Sequence, residues 1–264
     1  MNKDSKDTLQ DINAEILFYE NNPHYKKGHF LMKYPFVCKK RDVSAFARRN
    51  QTTRAIIKKY IEKKFGRSDG VFKRILDAPC GPDADQEILC GLSREYHGMD
   101  ISEKAVALCP SHIQTRVGDI LHTGYPDGYF DMVSSFNFFH HVHKVGFKPF
   151  LDEFNRILDN NGVLLIVEPS LFYPLSWLML LGRRVFGNIS GLVPDERPIN
   201  PFIMKKVVAS AGFRLVTLRA LTFAHNRLPV PLQYLVDLVM MPLSRVLPVG
   251  FLGWFAIYIC EKKG

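Results

Sequence analysis

The sequence RILDAPCGPDADQEIL, from Arg74 to Leu89, decides the fold of this chain. It opens with a short apolar run that predicts a β-strand over 74–78, and the acidic residue Asp77 stands near the end of that run. Gly81 permits a tight turn and a close approach of the backbone to a ligand, and a helix is predicted over 84–93. This order predicts a ligand site, because ligands bind at the carboxyl ends of parallel strands.

The chain beyond this stretch continues to alternate between strand and helix patterns. Further strands are predicted at 95–100, 113–117, 130–135, 163–167, 213–221 and 255–260, and helices at 103–109, 148–158 and 201–211. The alternation predicts an α/β fold: a Rossmann-like, doubly wound, mostly parallel seven-stranded sheet with helices on both faces. The last strand follows a long excursion of the chain, so it can enter the sheet antiparallel.

Two more acidic residues stand at the ends of the next two strands. Asp100 comes 23 residues after Asp77, and a carboxylate there can accept hydrogen bonds from both ribose hydroxyls of an adenosine. Asp119 follows the third strand, where a carboxylate suits the exocyclic amine of adenine. A single acid at a strand end is ordinarily a turn residue or a helix cap. Three in consecutive strand–helix units predict one binding site.

The order and spacing of these motifs resemble those of the class I S-adenosylmethionine-dependent methyltransferase family. The resemblance covers about residues 70–170 well, and 198–222 and 252–261 loosely. It implies S-adenosylmethionine as the cofactor, S-adenosylhomocysteine as its product, and methyl transfer as the reaction. The segments that carry the resemblance are DAPCG at 77–81, Asp100, DI at 119–120, FDMV at 130–133, and EFNRIL at 153–158 followed by NG at 161–162.

The resemblance also implies which residues hold the cofactor. They lie at the ends of four strands: Asp77, Ala78, Pro79 and Gly81 at the first turn, Asp100 and Ile101 at the ribose, Asp119 and Ile120 at the adenine, and Asn137 near the methionine part. The family usually has glycine where Pro79 and Asp83 stand, so this turn keeps one of three motif glycines. A relative that has lost catalysis and serves as a partner protein is therefore the non-enzyme alternative.

A nicotinamide-dependent dehydrogenase also uses a strand, a turn and a helix followed by an acid. Its turn needs the pattern GxGxxG, so that a pyrophosphate can lie on the helix N-terminus. Here Asp77, Asp83 and Asp85 surround the turn and would repel a pyrophosphate. The sulfonium and ammonium groups of S-adenosylmethionine are positive, so the same acids favour the methyltransferase.

Histidines follow the fourth strand, where family members place substrate-facing residues. His140 and His141 are the candidate catalytic bases, because the pKa of a histidine lies near working pH. The alternatives are that the pair is structural, or that it binds a metal with His143, for which no nearby carboxylate completes the set. We therefore predict no metal. Glu168, after the fifth strand, either faces the substrate or hydrogen-bonds locally.

The first 70 residues are predicted to form a lid and a basic helix in front of a methyltransferase domain over 71–264. Residues 1–74 carry 18 Lys and Arg against 8 Asp and Glu, whereas residues 75–264 carry 17 against 18. The helix is expected to begin after Ser44 and to end before Gly66. Tyr19 and Tyr25 are candidate substrate contacts within the lid, with plain packing as the alternative.

Two apolar inserts, at about 170–197 and 223–252, follow the fifth strand and precede the last one. In this fold they overlie the substrate site, and they predict a small hydrophobic acceptor such as a natural product, a lipid or a polyprenyl-type compound. Arg183-Arg184 and the basic N-terminal segment would then allow peripheral contact with an anionic membrane. The alternative is that the inserts pack on themselves or on a second subunit of a homodimer.

RNA or DNA is the runner-up acceptor, supported only by the basic N-terminal segment. Against it, the fourth strand ends in Ser135-Phe136-Asn137, which differs from the Asn/Asp-Pro-Pro-aromatic turn of many base-amine methyltransferases. The five cysteines are scattered without a CxxC pair, and the first 11 residues lack an apolar signal core. The sequence thus predicts reduced thiols and a cytoplasmic protein, peripheral at a membrane if the inserts face lipid.

Overall fold

Seven β-strands form one sheet at the centre of the molecule. The computed structural model describes residues 45–66, 71–82, 85–177, 181, 197–225, 228–246 and 250–263. The order of the strands across the sheet is β3-β2-β1-β4-β5-β7-β6. Their bounds are β1 Phe72–Asp77, β2 Ser93–Asp100, β3 Gln114–Val117, β4 Phe130–Phe136, β5 Leu158–Pro169, β6 Phe213–Thr222 and β7 Phe255–Lys262.

Helices connect these strands. They are α1 Ala45–Phe65, α2 Gln86–Leu89, α3 Glu103–Leu108, α4 Lys148–Ile157, α5 Pro201–Ser210 and α6 Val230–Val246, with 3₁₀ turns at Phe139–His141 and Gly250–Leu252. Asn200 caps α5, because its side-chain oxygen accepts hydrogen bonds from two backbone N–H groups of the first turn. Gly66 and Gly212 have positive φ just beyond α1 and α5, as the predicted helix ends require.

The sheet is mixed. β1 pairs in parallel with β2 and β4, β2 with β3, and β4 with β5. β7 runs antiparallel between β5 and β6, which confirms that the last strand enters against the others. The strand order reverses between β1 and β4, and in doubly wound folds this switch point is where ligands bind.

Hydrophobic cores cover both faces of the sheet. Successive residues of one strand belong to opposite cores, such as Ile75 and Leu76 in β1, because side chains alternate along a strand. Phe154 of α4 and Met204 of α5 pack into one core, while Ile57 of α1 packs into the other. The predicted arrangement of helices on both faces is confirmed. Helix α1 therefore contributes to the core on one face of the sheet. The domain boundary at residue 70 stays a prediction.

Three elements differ from the sequence prediction, among them helix α6, since the sequence predicted no helix in the second insert. The helix expected over 84–93 is the single turn α2, because Gly91 has a φ of 75° and β2 already begins at Ser93. The strand predicted over 163–167 begins earlier, because β5 already starts at Leu158. There the register with β4 jumps from Leu158 to Val163, so these residues form a bulge between two paired segments.

Helix α6 lies within the second apolar insert and is fixed to the domain by polar contacts. Asp237 accepts hydrogen bonds from the backbone N–H groups of Phe223 and Ala224 and from the hydroxyl of Thr222. Arg48 of α1 forms an ion pair with the same carboxylate, with 3.1 Å between Nε and Oδ2. The opposite face of α6 exposes five apolar residues, here called the outer face of α6: Leu232, Leu235, Leu238, Val239 and Leu243.

The described helices include none that is long and apolar enough to cross a membrane. The predicted N-terminal lid before residue 45 and most of the first insert lie outside the described residues.

Candidate cofactor and active site

Asp77 ends β1 at the switch point of the sheet and is completely buried. Its carboxylate accepts hydrogen bonds from the hydroxyl of Ser134 at 2.8 Å and from the hydroxyl of Tyr96 at 3.3 Å. Burial raises the pKa of Asp77 well above its usual range, and the nearby charge of Asp85 raises it further. A positive group bound beside Asp77 would therefore relieve an unfavourable concentration of negative charge.

The turn after β1 brings backbone donors close to the next strand. The N–H of Cys80 donates to the carbonyl of Met99, and the N–H of Gly81 donates to Oδ2 of Asp100 at 2.9 Å. Gly81 has a φ of 57°, which favours glycine, and apart from its chain neighbours no atom of the described residues lies within 4 Å of the place where a Cβ would be. The close approach of a ligand to the backbone at Gly81 stays a prediction. Asp83 lies outside the described residues.

Asp100 ends β2 and is nearly buried. Its second oxygen accepts a hydrogen bond from the N–H of Ser102 at 2.9 Å, so each oxygen has one backbone donor. The carboxylate lies at the carboxyl end of β2, where ligands of parallel sheets bind and where it could accept from a ribose hydroxyl. The arrangement fits an adenosine cofactor. The neighbouring Ile101 is 40% exposed and can contact a bound ligand.

Asp119 and Ile120 lie just after β3, on the same edge of the sheet. The N–H of Leu121 donates to Oδ1 of Asp119 at 2.8 Å, while Ile120 is buried in the core. Asp119 is half-buried, so its carboxylate remains accessible. Its local hydrogen bond is that of an ordinary turn residue, and its contact with adenine stays a prediction.

Asn137 forms a tight turn directly after β4. It has a φ of 55°, in the left-handed region that asparagine tolerates better than most residues, and its N–H donates to the carbonyl of Val167. Its side-chain oxygen accepts a hydrogen bond from Nη1 of Arg49 at 3.1 Å. Asn137 therefore lies at the ends of β4 and β5, beside the switch point.

Glu168 and His140 form a buried pair. Nδ1 of His140 lies 2.7 Å from Oε2 of Glu168, and the other carboxylate oxygen accepts hydrogen bonds from the N–H groups of Phe138 and Phe139. Glu168 is completely buried, so it hydrogen-bonds locally, which was one of its two predicted roles. A carboxylate at Nδ1 favours the tautomer that leaves Nε2 of His140 as a proton acceptor.

The other two histidines of this segment lie nearby. The ring of His141 lies 3.9 Å from the ring of His140, measured between centroids. His143 turns elsewhere: its Nε2 lies 2.8 Å from the carbonyl oxygen of Arg197, and burial lowers its pKa. Over the ranges that the structure describes, no group of three His, Cys, Asp or Glu side chains is arranged to hold a metal ion.

Arg49 is a site residue that sequence reasoning missed. It lies on α1 and is only 6% exposed, with its guanidinium between the rings of Phe46 and Phe255 at 4.9 and 4.8 Å. The pattern of α1 contains several basic residues, and nothing distinguishes Arg49 from its neighbours before the helix is placed against the sheet. The predicted substrate residues Tyr19 and Tyr25 lie outside the described residues.

The comparisons with known proteins agree with this architecture. Residues 76–166 match the family described as methyltransferase domain. A S-adenosylmethionine-dependent methyltransferase from Thermotoga maritima is 13% identical, with a TM-score of 0.61, over 95% of this chain and 99% of that one. One from Archaeoglobus fulgidus is 19% identical, with a TM-score of 0.50, over 79% and 94% of the two chains.

A third solved structure is geranyl diphosphate C-methyltransferase from Streptomyces coelicolor A3(2), bound to Mg²⁺, geranyl diphosphate and S-adenosylhomocysteine. It is 15% identical, with a TM-score of 0.51, over 80% of this chain and 79% of that one. At these identities the structural likeness establishes the fold. The family match spans β1 to β5, which is the part of the chain that carries the three acidic strand ends.

Proposed function

We propose that this chain, a class I S-adenosylmethionine-dependent methyltransferase, transfers a methyl group to an oxygen or nitrogen of a small, hydrophobic acceptor. The observation that carries the proposal is the hydrogen bond from the N–H of Gly81 to Asp100, which joins the turn after β1 to the carboxylate that ends β2. It brings together the two elements that would hold the methionine part and the ribose of the cofactor.

The residues that would hold the cofactor lie at the carboxyl ends of the parallel strands, here called the carboxyl edge of the sheet. Asp77 would attract the positive charges, Asp100 would accept hydrogen bonds from the ribose hydroxyls, and Asp119 would accept one from the adenine amine. Ala78, Pro79, Gly81, Ile101, Ile120 and Asn137 supply backbone and apolar contacts around them. When bound, S-adenosylmethionine supplies a methyl group on a sulfonium, which is transferred by direct displacement.

The protein then has to orient the acceptor and, for an oxygen or nitrogen nucleophile, receive its proton. His140 is the candidate base, since the carboxylate of Glu168 at Nδ1 favours the tautomer in which Nε2 carries no proton. His141 is the second candidate, because its ring lies directly against that of His140. Full turnover by both His140→Ala and His141→Ala would refute this role.

A hydrophobic acceptor is supported by a group of aromatic rings from the segments that follow β5 and β6 and precede β7. The rings of Tyr173, His225 and Trp254 lie in sequence against one another, with centroid distances of 6.3 and 4.2 Å, and Trp254 also packs on Phe46. The structural neighbour from Streptomyces coelicolor binds geranyl diphosphate, a prenyl compound, although it is a C-methyltransferase. Tyr19 and Tyr25 remain candidates for substrate contact, whereas Glu168 is buried and hydrogen-bonded to the turn after β4 and to His140.

The outer face of α6 supports peripheral contact with a membrane as part of the same proposal. The side chains of Leu235, Leu238 and Val239 are 56%, 72% and 50% exposed. Asp237, on the other side of the same helix, is hydrogen-bonded to the protein. Exposed apolar patches of this kind mark interaction surfaces. A second subunit would cover the face equally well, so the homodimer is the alternative.

Nucleic acid as acceptor is supported only by the charge of the N-terminal segment. RNA or DNA binding that weakens steeply with salt would favour it, and the absence of such binding would exclude it. The non-enzyme alternative, a partner protein without catalysis, predicts that the cofactor does not bind.

Titration calorimetry with S-adenosylhomocysteine tests the proposal. We expect measurable binding by the native chain and a loss of at least about a hundredfold in Asp100→Ala, because two hydrogen bonds to a charged acceptor disappear. Glu95→Ala, on the exposed part of the same strand, is the matched control and should bind normally. Undetectable binding at millimolar ligand by the native chain would remove the enzyme and leave the partner protein.

A further inference from the structure

Arg49 is a buried cation at the centre of the candidate site. Its guanidinium hydrogen-bonds to Oδ1 of Asn50 through Nε and Nη2, at 3.0 and 2.8 Å, and to Oδ1 of Asn137 through Nη1. Both partners that the described residues provide for it are therefore neutral amide oxygens. A guanidinium has five N–H donors, so these three hydrogen bonds leave two donors for another acceptor.

Burial makes this arrangement unfavourable for a charge. Desolvation lowers the pKa of Arg49, and the charges of Asp85, Glu168 and Glu87 oppose that effect. A charge removed from water is stabilised when a carboxylate hydrogen-bonds to it directly. An anionic group of a ligand that hydrogen-bonds to Arg49 would therefore stabilise the buried charge of the guanidinium.

The position of Arg49 identifies the part of the ligand that it would meet. Asn137 ends β4, and β4 pairs directly with β1, which ends in Asp77. Asp85 lies on the turn that follows β1, and Glu168 lies near the end of β5. Arg49 is therefore the cation beside the acidic residues to which we assign the methionine end of the cofactor.

The methionine end of S-adenosylmethionine carries a carboxylate next to its ammonium and sulfonium groups. Asp77 and Asp85 would attract the two positive groups but repel the carboxylate. We infer that Arg49 binds the α-carboxylate of the cofactor and thereby orients its methionine part. This inference depends on the proposed function, and Arg49 is assigned to ligand binding, with no role in the chemical step.

The test compares two ligands that differ only in the carboxylate: S-adenosylhomocysteine and its decarboxylated form, measured by titration calorimetry. We expect the native chain to bind S-adenosylhomocysteine about ten- to hundredfold more tightly, the effect of one charge-assisted contact. In Arg49→Gln this preference should fall to within about threefold, while the affinity for the decarboxylated ligand stays nearly unchanged. Arg49→Lys, which keeps the charge, should retain part of the preference.

Arg48→Gln is the matched control, since Arg48 lies on the same helix and pairs with Asp237. It should keep the native preference for the carboxylate. Equal weakening of both ligands in Arg49→Gln would overturn the inference, because it would show that Arg49 only holds α1 against Asn137. If Arg49→Gln does not fold, the native chain still decides: equal binding of both ligands overturns the inference. Failure of the native chain to bind either ligand would instead overturn the proposed function.

Discussion

The carboxyl edge of the sheet and the outer face of α6 depart in opposite ways from the usual distribution of side chains. The edge buries five ionisable groups, Asp77, Asp100, Glu168, His140 and Arg49, whereas α6 exposes a continuous apolar surface that includes Leu238. Buried polar groups and exposed apolar patches are the two informative exceptions to ordinary packing. In each region, folding stability alone does not explain why these residue types occur at these degrees of burial.

The two regions differ in how their exceptions are compensated. At the edge, the compensation is internal: Glu168 receives two backbone N–H groups and His140, and Asp100 receives two backbone N–H groups. On α6 the polar residues Gln233 and Asp237 face the protein. The described residues do not cover the apolar side chains of the outer face. We therefore expect the edge to bind a ligand and the outer face of α6 to contact a membrane or a second subunit.

The largest expected effect breaks the internal compensation of the edge. Glu168→Ala leaves two buried N–H groups and His140 without their acceptor, so we expect the free energy of unfolding to fall by about 3–5 kcal/mol. Urea unfolding measures this change. Glu95→Ala removes an exposed carboxylate and should change it by less than about 0.5 kcal/mol. A loss below about 1 kcal/mol for Glu168→Ala would show that the turn after β4 is held by other contacts.

A smaller effect of opposite sign is expected at Asp77. Asparagine can still accept from Ser134 and donate to Tyr96, but it removes a buried negative charge beside Asp85. Asp77→Asn should therefore raise the Tm of the ligand-free protein by about 2–4 °C, equivalent to about 1 kcal/mol, and weaken S-adenosylhomocysteine binding. Calorimetry measures both quantities. A lower Tm would mean that the charge of Asp77 stabilises the fold.

The pH dependence of the stability difference between Asp77→Asn and the native chain sharpens the prediction. Because the pKa of Asp77 is raised in the folded state, the folded protein holds its proton where the unfolded chain has lost it. The stability of the native chain should thus decrease as the pH rises from the ordinary carboxyl pKa of 3.8 through the raised value. The stability gain of Asp77→Asn should be larger at pH 8 than at pH 5. A gain that is independent of pH would contradict the assignment to ionised Asp77.

The smallest effect on stability is expected on α6. Leu238→Glu should change the free energy of unfolding by less than about 0.5 kcal/mol, because the residue is exposed. Its sedimentation with vesicles of phosphatidylcholine and phosphatidylglycerol should nevertheless fall severalfold, since a charge would enter the apolar interface. Leu108→Glu, at an equally exposed leucine on α3, is the matched control. Unchanged vesicle binding would refute membrane contact, and a change from dimer to monomer would favour the second subunit.

The sequence by itself determined the acidic strand ends and most of the sheet. Asp77, Asp100 and Asp119 could be placed because apolar strands, turns and helices alternate with periods that each segment carries locally. The family match and the seven-stranded architecture confirm this part of the prediction. The length of α2 and the bulge in β5 were missed, because they depend on where neighbouring strands begin and pair.

Only the tertiary structure decided which side chains meet. Arg49 and Asn137 are 88 positions apart, and Glu168 and Phe139 are 29 positions apart, so no local period relates them. Their contacts depend on how α1 packs against the sheet and on how the turns after β4 and β5 lie together. The sequence therefore determined most of the strands and the acidic residues at their ends, whereas packing between distant segments decided the buried charges of the site.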